Sequence, residues 1–317
     1  MQALIRPLNE LAEFEEISKK RMKAPGMIRV CGCVNSQKSH MMYALSDGCH
    51  YKVIACSSES KAKQVYEEYR FMDAETYLYP AKDLLFYQAD IRSKELIRQR
   101  MEVLQAIVAG GPMTVVTSFD AFMDSLLPKE VIRERMLHIS NDSAIDLEEM
   151  QKKLVALGYD REIQIEGPGQ FAVRGGILDV YPLTEELPVR IELWGDEVDS
   201  IRTFDVESQR SIENLTEVTI CPALEFPQEG EKGVSFLDYF PTDQTILFLN
   251  EPVRLLEKGQ GVEEEFMEAQ KNRLESGYQL EEGEVKLYQT EAVLKKMNGY
   301  SSIGFFSLDM RCKGLED

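Results

Sequence analysis

The sequence lacks any long apolar run. No uninterrupted apolar stretch among its 317 residues approaches the ~20 residues that a membrane-crossing helix needs. The opening segment MQALIRPLNELAEFEEISKK carries acidic residues throughout and has no continuous apolar core, so it does not fit a secretion signal. We therefore expect a cytoplasmic protein without a membrane partner. The length exceeds that of one ordinary core and predicts two or three domains.

Cysteine and histidine are also sparse. The six cysteines are irregularly spaced, and Cys31-x-Cys33 is not the Cys-x-x-Cys pair typical of structural zinc sites. We interpret the cysteines as buried free thiols. The three histidines have no recognisable nucleophile partner. The sequence therefore predicts no metal site, no cofactor and no catalytic residues.

The net charge of -19 is distributed unevenly. Residues 1–139 contain 19 Lys and Arg against 18 Asp and Glu, whereas residues 140–317 contain 17 against 37, a net charge of -20. An acidic surface repels phosphate backbones, and tight nucleic-acid binding needs clustered Lys and Arg. We therefore expect the partners of the later part to be proteins.

The first part alternates short apolar runs with segments of helical periodicity. This alternation is typical of βαβ crossovers, and it predicts an α/β fold with a RecA-like (P-loop NTPase-like) parallel sheet. The predicted strands are 27–32, 51–56, 75–79 and 114–117, and the predicted helices are 37–47, 59–72 and 93–109.

The pattern changes near residue 140. Asp146 with Glu149 three residues later predicts a helix start, and Gly158 predicts its end. From residue 161 to 221, short alternating strands broken by Gly and Pro predict antiparallel hairpins. We thus predict three segments. Residues 1–139 begin the RecA-like domain, 140–221 form a small inserted α+β hairpin domain, and 222–317 form an acidic helical segment whose strands 245–249 and 301–308 complete or flank the first sheet.

A segment resembling a phosphate-binding loop lies between the first predicted strand and helix. A working loop reads G-x-x-x-x-G-K-[ST], because its second glycine lets the backbone wrap the phosphates. Here Gly32 is followed by Gln37 in place of that glycine, then by Lys38 and Ser39. A side chain at this position opposes positive-φ geometry. We predict a vestigial, degenerate nucleotide site, with weak phosphate contact at the helix N-terminus as the alternative.

Nucleotide hydrolysis would also need an apolar strand that ends in acidic residues. The only candidate that we identify from the sequence is 189–194 followed by Gly195-Asp196-Glu197, and Gly-Asp there is more typical of a hairpin tip.

Three residues are candidates for partner binding. Alternation along 171–175 and 189–194 places Arg174 and Arg190 opposite their apolar neighbours, and Trp194 is the single tryptophan. Arg and Trp dominate the energetics of protein interfaces, so these three residues are candidates for a docking patch. The alternative is that Trp194 lies in the core and the arginines pair with nearby acids such as Glu192.

The same region carries a family resemblance. The segments GQFAVRGGILDVYP (169–182), VRIELWGDEVDSIRTFD (189–205), SQRS and PALEF resemble the UvrB-homology module at the start of the bacterial transcription-repair coupling factors. The similarity covers nearly the whole chain and is strongest over 154–226. The excinuclease component UvrB is the nearest competitor, but it keeps an intact phosphate loop and a long aromatic hairpin for which 79–91 is too short.

The resemblance implies a module that recruits the excinuclease component UvrA to stalled RNA polymerase in transcription-coupled excision repair. It places the family's two docking arginines on Arg174 and Arg190 and its aromatic residue on Trp194, where Phe is common. It also implies masking by the C-terminal domain of the same full-length protein. Contacts with RNA polymerase and DNA, and the ATP-driven motor, would belong to parts missing from this chain.

Two alternatives of other classes follow from the residues. An ATP-dependent, DNA-binding protein like UvrB predicts nucleotide binding that depends on Lys38. Direct damage recognition predicts salt-sensitive DNA binding by residues 1–139, whose near-zero net charge disfavours it.

Overall fold

The computed structural model describes residues 5–21, 24–82, 94–227, 230–275, 287–308 and 312–315. The chain divides into two compact units, of which the first comprises Met1–Ile91, Ala109–Pro128 and Phe226–Asp317 and the second comprises Arg92–Val108 and Lys129–Glu225. The fold is mixed α/β, with one parallel sheet in the first unit and one largely antiparallel sheet in the second.

The first unit is built on a six-stranded sheet whose strands are β1 Gly26–Cys31, β2 Tyr51–Cys56, β3 Thr76–Tyr79, β4 Met113–Ser118, β15 Thr245–Asn250 and β16 Ser301–Phe306. They lie in the order β1-β16-β15-β2-β4-β3, and every neighbouring pair is parallel. Its helices are α1 Ala12–Lys20, α2 Asn35–Leu45, α3 Glu59–Tyr69, α7 Pro252–Glu275 and α8 Thr290–Met297. A small ladder joins β5 Ser125–Leu126 to β14 Val234–Ser235.

Apolar runs without alternation explain why these segments form central strands. Every residue of β4 and β16 is buried, as expected for parallel strands covered on both faces. The predicted strands 245–249 and 301–308 are present as Thr245–Asn250 and Ser301–Phe306, the second two residues shorter than predicted, and they lie between β1 and β2 in the sheet.

The strands of the second unit are β6 Leu137–Ser140, β7 Asp160–Arg161, β8 Gln170–Arg174, β9 Ile177–Tyr181, β10 Val189–Trp194, β11 Glu197–Phe204, β12 Ser211–Leu215 and β13 Glu217–Ile220. Six of them form a sheet in the order β12-β11-β10-β9-β8-β7, in which all pairs are antiparallel except the short β7–β8 pair. Strands β6 and β13 form a separate ladder. The helices are α4 Lys94–Ala109, α5 Lys129–Arg135 and α6 Leu147–Ala156.

Helix α6 covers one face of this sheet. The Asp146 side chain accepts hydrogen bonds from the backbone N–H groups of Glu148 and Glu149, which confirms the predicted helix start. Buried residues of α6, among them Leu154, pack with Phe171 and Ile191 in the core of the unit.

Candidate docking surface

The sheet of the second unit has a core face and an open face. Phe171, Leu178 and Ile191 belong to the core cluster under α6. Side chains alternate along a strand, so Arg174 on β8, Asp179 on β9, and Arg190 and Trp194 on β10 belong to the opposite face. We call the face that carries these four residues the open face.

A buried carboxylate joins the two arginines. Arg190 is directly opposite Asp179 across the β9–β10 ladder. Arg190 Nε donates to Asp179 Oδ1 at 2.7 Å, and its second terminal nitrogen, Nη2, donates to Oδ2 at 2.9 Å. Arg174 Nη2 donates to the same Oδ2 at 2.6 Å. Because the Asp179 side chain is only 2% exposed, the two guanidinium groups replace the water that would otherwise solvate its charge.

Arg190 has further partners on the open face. Its Nη2 donates to Gln209 Oε1 at 2.9 Å, and its guanidinium carbon lies 4.3 Å from the centre of the Phe204 ring. Hydrogen bonding to Asp179 raises the pKa of Arg190, so the group stays charged. Its side chain is 14% exposed, whereas that of Arg174 is 44% exposed.

Trp194 ends strand β10 and is 84% exposed. It precedes the two-residue turn Gly195–Asp196, in which Gly195 has a φ of +65°, so this Gly-Asp pair is the hairpin tip predicted from the sequence. The tip is anchored from below, since Ile145 N donates to Asp196 O at 2.7 Å. The indole is thus presented from a fixed turn.

The alternative interpretation of these residues is right in one part and wrong in the other. Both arginines pair with a local acid, but that acid is Asp179, while Glu192 pairs with Arg202. Trp194 does not lie in the core. Asp179 is the residue that the sequence pattern alone did not reveal. The available signal was an ionisable residue in the otherwise apolar strand Ile177–Tyr181, on the same face as Arg174.

The segment resembling a phosphate loop makes internal contacts. Helix α2 already begins at Asn35, so Gln37 and Lys38 lie in its first turn, and Gln37 Oε1 accepts a hydrogen bond from Val34 N at 3.3 Å. Lys38 Nζ donates to Glu251 Oε1 at 2.5 Å and to Asn250 Oδ1 at 3.3 Å. Gly32 keeps a positive φ of 82°.

The hydroxyl of this segment is also engaged. Ser39 Oγ donates to Glu68 Oε2 at 2.7 Å. Neither Lys38 nor Ser39 is therefore presented to a phosphate in this structure.

The acidic residue that follows a buried strand of the parallel sheet is Glu251, not a residue of the candidate segment 189–197. Strand β15 ends at Asn250, and Glu251 follows it next to Lys38, whereas the candidate 189–194 is a hairpin strand. Burial opposes ionisation of Glu251, but hydrogen bonds from Lys38 and Ser307 outweigh it and lower its pKa. The signal in the sequence was the apolar run TILFL followed by Asn-Glu.

The structure also bears on the predictions about thiols, metals and membranes. Cys49, Cys56 and Cys221 are buried free thiols and Cys312 is also buried, but Cys31 is exposed, which corrects the expectation that all six are buried. Within the described ranges, no group of three His, Cys, Asp or Glu residues is placed to hold a metal ion. No described helix is long and apolar enough to cross a membrane. The comparison of 79–91 with the aromatic hairpin falls largely on residues outside the described ones.

Comparisons with known proteins point to one domain type. Residues 137–226 match the model of the UvrB interaction domain. The match thus contains α6 and the whole of the sheet that carries the open face.

The chain is also similar to proteins named transcription-repair-coupling factor. It is 39% identical to that of Bacillus subtilis (strain 168) over 52% of this chain and 14% of the relative. It is 35% identical to that of Staphylococcus epidermidis (strain ATCC 35984) over 57% of this chain and 14% of the relative. It is 34% identical to that of Staphylococcus aureus (strain Mu50) over 58% of this chain and 15% of the relative. The chain is thus similar to part of the coupling factors, its residues 137–226 match the UvrB interaction domain, and the matched region spans about a seventh of each relative's length.

Proposed function

We propose that this chain is a docking module that recruits the excinuclease component UvrA to stalled RNA polymerase in transcription-coupled nucleotide-excision repair. The observation that carries the proposal is the open face of the UvrB interaction domain, where Arg174 and Arg190 meet on one carboxylate and Trp194 is exposed. Contacts with RNA polymerase and DNA, and the ATP-driven motor, belong to the rest of the full-length protein. Its C-terminal domain masks the open face.

The chemistry of the open face suits an acidic protein partner. Guanidinium groups make charge-assisted, often bidentate hydrogen bonds to carboxylates, and an exposed indole adds apolar contact area. The second unit, which comprises Arg92–Val108 and Lys129–Glu225, contains 14 Lys and Arg against 23 Asp and Glu, and this net charge of -9 disfavours a nucleic acid as its ligand.

Calorimetric titration of the 317-residue chain with purified UvrA tests the proposal. Truncating one interface charge typically costs about 2–5 kcal/mol, so we expect Arg174→Ala to weaken binding by about thirtyfold or more. Trp194→Ala should have a similar effect, because an exposed indole contributes only when a partner covers it. Arg161→Ala is the matched control, since Arg161 is an exposed arginine on the edge strand β7 and belongs neither to the turn at Gly175–Gly176 nor to the turn at Gly195–Asp196.

Two outcomes would overturn this assignment. One is wild-type affinity in both Arg174→Ala and Trp194→Ala, and the other is a loss of affinity in Arg161→Ala as large as theirs. Arg190→Glu is a poor test, because the new carboxylate would face the buried Asp179 and unfold the sheet locally.

We further propose that the parallel sheet is a RecA-like core with a vestigial nucleotide site, and that this chain does not hydrolyse ATP. In support, Lys38 follows the first strand of the sheet, and residues 250–251 follow the strand two positions away. The glutamate that would serve the reaction is instead an internal ion partner of the lysine.

A further inference from the structure

The two arginines of the open face differ in how many of their donors are already used. Arg190 Nε donates to Asp179, and its Nη2 donates to both Asp179 and Gln209. The guanidinium group also stacks on the Phe204 ring, and the side chain is 14% exposed. Arg174 donates to Asp179 through Nη2 alone, and its side chain is 44% exposed. Its Nε and Nη1 have no hydrogen-bond partner within the described part of the chain.

We propose that Arg190 is a positioning residue, which neutralises Asp179 so that Arg174 and Trp194 make the direct contacts with the partner. This inference rests on the proposed function. A buried carboxylate with one cation would draw that cation inward to compensate its charge. Because Arg190 supplies a bidentate pair, Asp179 takes a single hydrogen bond from Arg174. The remaining edge of the Arg174 guanidinium stays available for a carboxylate of the partner.

A pair of substitutions that leaves the net charge unchanged can show whether Arg190 positions Arg174 or contacts the partner itself. In Arg190→Gln, the buried Asp179 keeps only Arg174, so we expect UvrA to bind about tenfold more weakly or worse. In the double variant Asp179→Asn with Arg190→Gln, an amide pair replaces the ion pair and the net charge equals that of the wild type. Because Arg174 is released again, we expect the double variant to bind within about threefold of the wild type.

The opposite result has a clear meaning. If Arg190 itself contacts the partner, the double variant must bind as weakly as Arg190→Gln, and that outcome overturns the inference. The failure of the proposed function looks different, because the wild-type chain would then not bind, or Arg174→Ala would bind as well as the wild type.

A second measurement uses the wild-type chain and does not depend on how the variants fold. Phenylglyoxal modifies accessible guanidinium groups, and mass spectrometry reports each site separately. We expect Arg174 to react readily in the free chain and to be protected by UvrA, whereas Arg190 reacts slowly in both states. Rapid modification of Arg190 in the free chain, followed by its protection in the complex, would contradict a positioning role.

Discussion

The ion pair between Lys38 and Glu251 should stabilise the first unit measurably. Glu251→Gln keeps the shape of the side chain and removes its charge, so Lys38, whose side chain is only 4% exposed, loses its counterion. Removing one member of a buried pair typically costs about 3–5 kcal/mol. Glu251 is 22% exposed and Asn250 still accepts from Lys38, so we expect the lower end, about 3 kcal/mol.

Differential scanning calorimetry is the suitable assay. The single tryptophan lies in the second unit and does not report on the first, whereas calorimetry resolves the units if they melt separately. At roughly 2–4 °C per kcal/mol for a unit of this size, Glu251→Gln should lower the melting temperature by roughly 6–12 °C. Glu149→Gln is the matched control. It breaks the exposed pair with Lys153, which contributes about 0.5 kcal/mol or less.

A second substitution should rescue the first. Combining Lys38→Met with Glu251→Gln removes both charges, so no buried ion is left without a partner, and the double variant should lie within about 1 kcal/mol of the wild type. The explanation is refuted if Glu251→Gln melts with the wild type, or if the double variant is less stable than the single one.

The remaining predictions concern Lys38, Glu251 and Gly176. We expect a fluorescent ATP analogue to show no saturable binding to the wild-type chain. Saturable binding that is lost in Lys38→Ala would instead favour an ATP-dependent protein like UvrB. Because the pKa of Glu251 is lowered from 4.5, its contribution is complete above that pH and lost as the pH falls through the folded value. The stability gap between wild type and Glu251→Gln should therefore narrow on acidification, and a widening gap would contradict the assigned sign. Gly176→Ala should destabilise the chain in thermal melts by about 1–3 kcal/mol, because its Cβ would lie 2.9 Å from Leu193 O. Gly167→Ala is the control, because a Cβ at Gly167 has no atom within 4 Å. An equal loss of stability in the two variants would contradict a clash between residue 176 and Leu193 O.

Local sequence signals predicted the elements well because their causes are local. Strand β2 occupies the predicted residues 51–56, and the Asp146 cap starts α6 as expected. The turn at Gly195–Asp196 needs only the short-range preference of glycine for positive φ. Such features depend on neighbours within a few residues, so one sequence is enough to predict them.

The pairing of charges could not be predicted in the same way. Alternation assigns Arg190 to a face, but the choice between Asp179 and Glu192 depends on the register of β9 against β10. Lys38 and Glu251 are 213 residues apart, and they meet only because β15 and β16 insert between β1 and β2. Nothing within either local segment specifies that strand order.

The setting of the open face explains how a small positive surface can select its partner. A phosphate backbone is a long array of negative charge, and the second unit, with 23 Asp and Glu against 14 Lys and Arg, repels it. A protein that presents a few carboxylates at the right positions needs to approach only the guanidinium edge of Arg174 and the indole of Trp194. Because both side chains stand on a paired sheet and not on a long loop, less conformational entropy is lost on binding. If the proposed function holds, repulsion therefore disfavours nucleic acid, while the fixed contacts favour one protein surface over another.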